Sequence, residues 1–245
     1  MSDIKPTKKV RAVFKNTTQE LRDKFKKSQC LLLISVGQEA HEGERFAATI
    51  ELINASFSGC IISLYDSLQR HTMALNSLKE PSDFHEAAVK QGDLWLERNE
   101  KYYSKLILPM SITRGNDWLH HPNYLTQQEK LRALIKQDTI YKAIFNSAID
   151  NYLSRYVARL PSTSHFNLNR AKSICFEYIL EECTILCLWF ELHCQFEIYP
   201  GHHNDAMEET RRRFIRPGDS NLMWPLQLDF RNVTKMKPQY FELAD

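Results

Sequence analysis

Two periods run through this chain. Short, nearly continuous apolar runs bounded by polar residues read as strands: RAVFK (11–15), QCLLLIS (29–35), CIISLYD (60–66, opened by Gly59), LILPMSITR (106–114) and QFEIYPG (195–201). Between them apolar residues recur at helical spacing. The predicted helices are 43–56, 67–77, 82–105, 126–158 with one break, 168–193 and a charged segment at 203–214. Pro81-Ser82-Asp83 is a strong start signal for the third of these. GNDWLHHPNY (115–124) reads as a loop, residues 161–164 (PSTS) as a linker, and the residues after 214 as an irregular tail. Strands alternating with helices predict an α/β fold on a mostly parallel sheet. There are no internal repeats.

In such sheets ligands bind beyond the carboxyl ends of the strands. The second predicted strand ends at Ser35, the third at Asp66 and the last at Tyr199-Pro200. These three polar ends are expected to meet on one edge. Ser35 is either a nucleophile there or the hydrogen-bonded polar end of a core strand. A nucleophilic serine needs a base, and backbone N–H groups at a following helix start would stabilise an oxyanion. Gly37 would let a substrate approach the backbone closely.

The helix holding FEYILEECTILCLWF places Tyr178 and Glu182 four apart, on one face. A carboxylate in so apolar a helix costs several kcal/mol, roughly, unless it is paired. Either a substrate ammonium pairs with Glu182, or Glu181 and Glu182 mark a solvated edge. On the 82–105 helix, at about 100° per residue, Lys90, Arg98, Lys101 and Lys105 fall within roughly 80° of arc. Phe84, Ala88, Trp95, Tyr102 and Leu106 form the neighbouring apolar arc. The basic stripe suits a phosphate backbone or is a solvated, ion-paired face.

Composition narrows the class. The chain has 245 residues, 43% hydrophobic and 25% charged, which fits a folded globule. No 18-residue apolar window and no secretory leader is visible, so a cytoplasmic protein is expected. Net charge is only +2, but residues 1–27 carry nine Lys/Arg against three Asp/Glu. The six cysteines form no CxxC pair and are expected as reduced thiols. Cys183, Cys187 and Cys194 share a helix face with Ile179, Leu186 and Phe190, which reads as core. His120-His121 and His202-His203 lack a metal-site spacing. GxGxxG, GxxxxGK[ST] and GxSxG are absent, which argues against dinucleotide, P-loop and hydrolase-elbow sites.

Together these features resemble one family, the tRNA-dependent cyclodipeptide synthases. ISVGQEAHEGERFAATI is similar to that family's catalytic-serine region, EYILEEC to its Tyr-x-x-x-Glu helix, and EIYPG to its Tyr-Pro signature. GDLWLERN (92–99) is similar to the start of its basic tRNA-binding helix. Gln38, Tyr199 and Pro200 resemble the branch that carries a non-Asn residue, Tyr and Pro. The matches span residues 29 to about 205; the first 27 residues and those after 217 carry little of the likeness.

The resemblance implies a single catalytic domain with a Rossmann-like, five-stranded parallel sheet, similar to class I aminoacyl-tRNA synthetases. It implies two aminoacyl-tRNAs as substrates, no metal or other cofactor, no DNA or membrane partner, and a monomer. The implied reaction is ping-pong. Ser35 takes the first aminoacyl group; the amine of a second aminoacyl-tRNA then reacts with it to leave a dipeptidyl-enzyme, which cyclises. Tyr178 and Glu182 would hold the α-amino group, with Glu182 the proton acceptor for the incoming amine. Tyr199 would assist ring closure, Gln38 would hold backbone near the serine, and Lys90, Arg98, Lys101 and Lys105 would bind tRNA. Arg98 is followed by Asn99, where the other branch often has a basic pair. His41 is close enough in sequence to Ser35 to serve as a base, a role the family pattern does not give it. A serine esterase or amidase, and a tRNA-binding module without catalysis, are the competing expectations.

Overall fold

The computed structural model describes residues 8–15, 17–75, 77–160, 166–214 and 223–234. Six strands, β1 (Lys8–Phe14), β2 (Gln29–Ile34), β3 (Gly59–Leu64), β4 (Met110–Arg114), β5 (Phe196–Tyr199) and β6 (Trp224–Thr234), form one sheet in the order β1-β6-β5-β2-β3-β4. Five are mutually parallel, and β1 runs antiparallel to β6 at the edge. The fold is Rossmann-like α/β, as expected.

Helices cover both faces. They are α1 (Gln19–Phe25), α2 (Gly43–Ser56), α3 (Gln69–Ala74), α4 (His85–Tyr103), α5 (Gly115–Leu119), α6 (Tyr124–Gln137), α7 (Thr139–Val157), α8 (Leu168–Leu186) and α9 (Asp205–Phe214). The period-2 alternation of the strands sorts their side chains between two cores. Cys30, Leu32 and Ile34 of β2 join Cys60, Ile62 and Leu64 of β3 under Phe46 of α2 and Trp95 of α4. Leu31 and Leu33 point the other way, into the layer built by α6, α7, α8 and α9. By the same alternation Ser35, Glu197 and Tyr199 face the α7–α8 layer, and Asp66 faces the α2–α4 layer. This sorting decides which polar strand ends meet.

Several sequence expectations need correction. The tail is not irregular throughout: WPLQLDFRNVT forms β6, between β1 and β5 in the sheet. Its Pro225 reads as a strand breaker, yet it lies opposite Glu197 and before the segment that β1 pairs, so no ladder donor is missed on that side. The predicted 115–124 loop contains α5, whose Asp117 carboxylate accepts from the Arg114 N–H at 2.8 Å. The last apolar helix stops at Leu186, and a 3-10 turn at Trp189–Leu192 follows. Residues 19–25 form a helix capped by Thr18, whose hydroxyl accepts from Leu21 N–H at 3.2 Å. The 161–164 linker lies outside the described residues. No helix among the described residues is long and apolar enough to cross a membrane.

Candidate active site

A tight turn follows β2. Gln38 N–H donates to the Ser35 carbonyl at 3.3 Å, and Gly37 adopts φ +82°, a left-handed value that favours glycine. Nothing lies within 4 Å of a Cβ built on Gly37, so backbone conformation, not crowding, explains the residue. The turn leaves Ser35 half-buried at the mouth of a cavity of about 600 Å³. Ser35, Val36, Gly37 and Gln38 line it from β2, Tyr178, Ile179 and Glu182 from α8, and Tyr199, His203 and Asn204 from the end of β5.

The Ser35 and Tyr199 hydroxyls are 3.3 Å apart. The expected meeting of strand ends therefore holds for these two. It fails for Asp66, which is buried on the opposite face and ion-paired with Arg114. Gly92 of α4 makes room for that pair: a Cβ there would lie 2.3 Å from the Asp66 carboxylate. Pro200 ends β5, and Gly201 leaves space for the Tyr199 ring, 3.2 Å from where its Cβ would be.

Tyr178 donates its hydroxyl to Glu182 Oε1 at 2.8 Å, and Asn204 donates to Oε2 at 3.0 Å. Glu182 is thus held at both oxygens and open only to the cavity. Burial pushes its carboxyl up to about 7, against the pull of the Tyr178 hydroxyl, the His203 charge and the Asn204 amide. Glu181, its neighbour, points elsewhere. It is buried against Arg70 and His71, whose bonds outweigh burial and hold it below the usual range. Neither residue marks a solvated edge. Tyr178 stays a phenol, raised by burial and by the adjoining Glu182 charge.

His41 is no base for Ser35. Its Nδ1 accepts from the Ser35 backbone N–H at 2.8 Å, and burial lowers its pKa to about 4, so it is neutral near pH 7. It braces the turn instead, and it occupies the N–H that an oxyanion hole at Ser35 would have used. The helix after Ser35 begins at Gly43, as the 43–56 reading expects, with a 3-10 turn at Glu39–His41 between them. Gln38 is exposed and makes no cap bond with its side chain; its backbone carbonyl accepts from His41 N–H at 2.9 Å.

Lys90, Arg98, Lys101 and Lys105 are all exposed on or just past α4, and none lines the cavity. Ala88 and Trp95 are buried beneath them, as the apolar arc predicts. Arg98 donates to Glu42 at 2.9 Å, and Lys101 lies 5.0 Å from the Tyr102 ring centroid. Cys183 and Cys187 pack in the apolar core with the other cysteines buried and free.

Sequence reasoning missed the group beneath Tyr199. Glu197 of β5 is buried and binds both His203 and Arg211 of α9. Burial opposes its charge, but the two cations outweigh it and bring the carboxyl down to about 2. A Glu amid the apolar run QFEIY was the available signal. Arg155 and Arg159 of the α7 end also reach the cavity rim.

Fold and cavity together define an α/β protein with a ligand site at the carboxyl edge of a Rossmann-like sheet. Neither a protein-family model nor a curated protein matches the sequence. Solved structures do. A cyclodipeptide synthase from Fluoribacter dumoffii is 37% identical, with a TM-score of 0.87, over 93% of this chain and 100% of that one. A cyclodipeptide synthase from Candidatus Glomeribacter gigasporarum, bound to Phe-tRNAPhe, is 16% identical with a TM-score of 0.69, over 90% and 96%. A Mycobacterium tuberculosis protein whose structure relates cyclodipeptide synthetases to type I tRNA synthetases is 12% identical with a TM-score of 0.62, over 93% and 98%. The chain belongs to the cyclodipeptide synthase family.

Proposed function

We propose that this enzyme joins the aminoacyl groups of two aminoacyl-tRNAs into a cyclic dipeptide through esters of Ser35. The observation that carries the reading is the convergence of Ser35, Tyr199 and the Tyr178–Glu182 pair on one cavity, from elements more than 140 residues apart in sequence. The relative from Candidatus Glomeribacter gigasporarum, bound to Phe-tRNAPhe, supports the substrate class.

The Ser35 oxygen attacks the ester carbonyl of the first aminoacyl-tRNA. The bond to the ribose oxygen breaks, and the serine proton ends on that ribose hydroxyl. Ester replaces ester, so the step is nearly neutral in energy and positioning carries much of the catalysis. The Ser35 N–H is taken by His41, so a donor for the oxyanion has to come from another group lining the cavity. Tyr199, kept a phenol above all by burial, orients the Ser35 hydroxyl.

Tyr178 and Glu182 bind the α-ammonium of the Ser35-bound residue. An α-amino group titrates at roughly 7.7–8.0. A carboxyl near 7 is therefore matched to take its proton. Attack by an incoming amine on the Ser35 ester would free the serine and leave the dipeptide on tRNA. A dipeptidyl-enzyme requires the opposite direction: the Ser35-bound amine attacks the second ester, and the second tRNA leaves. The new terminal amine then attacks the Ser35 ester, closing the ring and restoring the serine hydroxyl. No step needs ATP or a metal. The exposed stripe of Lys90, Arg98, Lys101 and Lys105 would hold tRNA phosphates outside the cavity, which Gly37 and Gln38 line, while Pro200 ends the strand that carries Tyr199.

Expression in bacteria with mass spectrometry of the medium tests this reading. A diketopiperazine is expected from the wild type and none from Ser35→Ala. Absence of a cyclic dipeptide from the wild type would overturn the assignment. A serine esterase would instead turn over small esters without tRNA and need a histidine on Ser35 Oγ, where among the described residues Tyr199 is the hydrogen-bonding partner.

A further inference from the structure

Tyr199 rests on His203. The two rings are stacked, with centroids 5.1 Å apart and planes 14° from parallel. His203 Nε2 donates to Glu197 on the strand below, and Arg211 of α9 donates to the other oxygen of the same carboxylate. The Glu197 side chain is 1% exposed and that of His203 7%, so the three groups form an ionic cluster under the site. A buried carboxylate with two donors in contact is compatible with a charged imidazole; an uncompensated one would be strongly destabilising. Asn204, the next residue, is hydrogen-bonded to Glu182. One short segment therefore touches both ends of the machinery: His203 the Tyr199 ring, Asn204 the Glu182 carboxylate.

We propose that His203 is a positioning residue of this site, an imidazolium clamped by Glu197 that fixes the Tyr199 ring beside Ser35 and presents positive charge to Glu182. The inference rests on the aminoacyl-transfer reading for its kinetic consequence, but not for its electrostatic one. The charged and titratable groups facing His203 are Glu197 and Tyr199 of β5, Glu182 of α8, and Glu208 and Arg211 of α9. Burial disfavours the charged imidazole, Glu197 outweighs that, Arg211 opposes and Glu208 assists; the balance lies above the ordinary histidine value. Seen from Glu182, the His203 charge works against burial. Without it the carboxyl would ionise only at higher pH.

His203→Gln keeps a donor for Glu197 and removes the charge. In that variant the acid limb of the pH profile for dipeptidyl-enzyme formation should move up by about one pH unit. The rate then falls roughly tenfold near pH 6.5 and less than twofold above pH 8.5, with KM for aminoacyl-tRNA unchanged. A loss of rate equal at all pH values would overturn the proposal, as would an unshifted profile. Two NMR titrations stand apart from turnover. The Glu182 carboxyl carbon should titrate higher in His203→Gln than in the wild type. In the wild type alone, the His203 ring should titrate above an ordinary histidine, and a ring that titrates below one would overturn the proposal even if the variant fails to fold. If the wild type makes no cyclic dipeptide while both titrations behave as described, the functional reading fails and the electrostatic inference stands.

Discussion

At pH 7 the Glu182 carboxyl, raised by burial to about 7, is half ionised inside an apolar helix layer. That is useful to a proton acceptor and adverse to the fold. A carboxyl with a folded value above its unfolded one contributes stability that is fully present below the unfolded value, 4.5, and is lost as pH rises through about 7. Above pH 7 the charged group strains the native state by about 1–3 kcal/mol, the cavity's water trimming the larger figure. Glu182→Gln should therefore raise Tm at pH 8 by roughly 2–8 °C and leave it nearly unchanged at pH 5. Cyclic dipeptide formation should fall by about two orders of magnitude or more. Calorimetry at the two pH values decides it; equal shifts at both would mean the carboxyl is not strained. Ser35, Tyr178, Glu182 and Tyr199 were visible in the sequence because strand ends and an i, i+4 pair announce themselves locally. Glu197, His203 and Arg211 were not. Their meaning comes from a polar position on a strand covered on both faces, and only the packing of α9 shows that cover.

Elements carry the tRNA question. The stripe on α4 was readable from helical spacing, because a long polar helix with one buried arc leaves little freedom in where its lysines point. Its electrostatic partners were not readable. Arg98 is clasped by Glu42, 56 residues earlier, at the start of α2. An exposed pair of this kind is worth at most about 1 kcal/mol, so a phosphate can compete for the arginine, yet it dilutes the charge on offer. Lys101 has no such carboxylate in contact among the described residues. The double variant Arg98→Ala with Lys101→Ala should weaken aminoacyl-tRNA binding and flatten the slope of log K against log salt by roughly 1–2. Lys101 should account for the larger part. An unchanged slope in a filter-binding titration would place the tRNA contact elsewhere. The elements missed from sequence share a cause. β6 hides behind Pro225, and α5 is a short helix begun by a side-chain bond from Asp117; both depend on neighbours that a local pattern does not contain.

For the molecule as a whole, the mostly parallel sheet was legible, since apolar runs alternating with helices leave few alternatives, although the first of those runs, RAVFK, pairs antiparallel. The sheet's far edge was not. β6 lies between β5 and β1, so the strand bearing Glu197 and Tyr199 is flanked on one side by residues 224–227. Deleting 224–234 should abolish the cooperative thermal transition and the cyclic dipeptide together; retention of both would show that β5 holds without its outer neighbour. The same pairing sets an order of events during synthesis. Lys8 lies opposite Thr234 and Phe14 opposite Leu228, so the first strand made finds its partner only after more than 200 further residues have emerged. On the ribosome, β2, β3 and β4 can assemble as they appear, while β1 waits unpaired with an open edge. The Ser35–Tyr199 contact joins the early half of that schedule to the late one. A nascent chain stalled before β5 would carry the serine without the phenol that stands beside it in the finished fold.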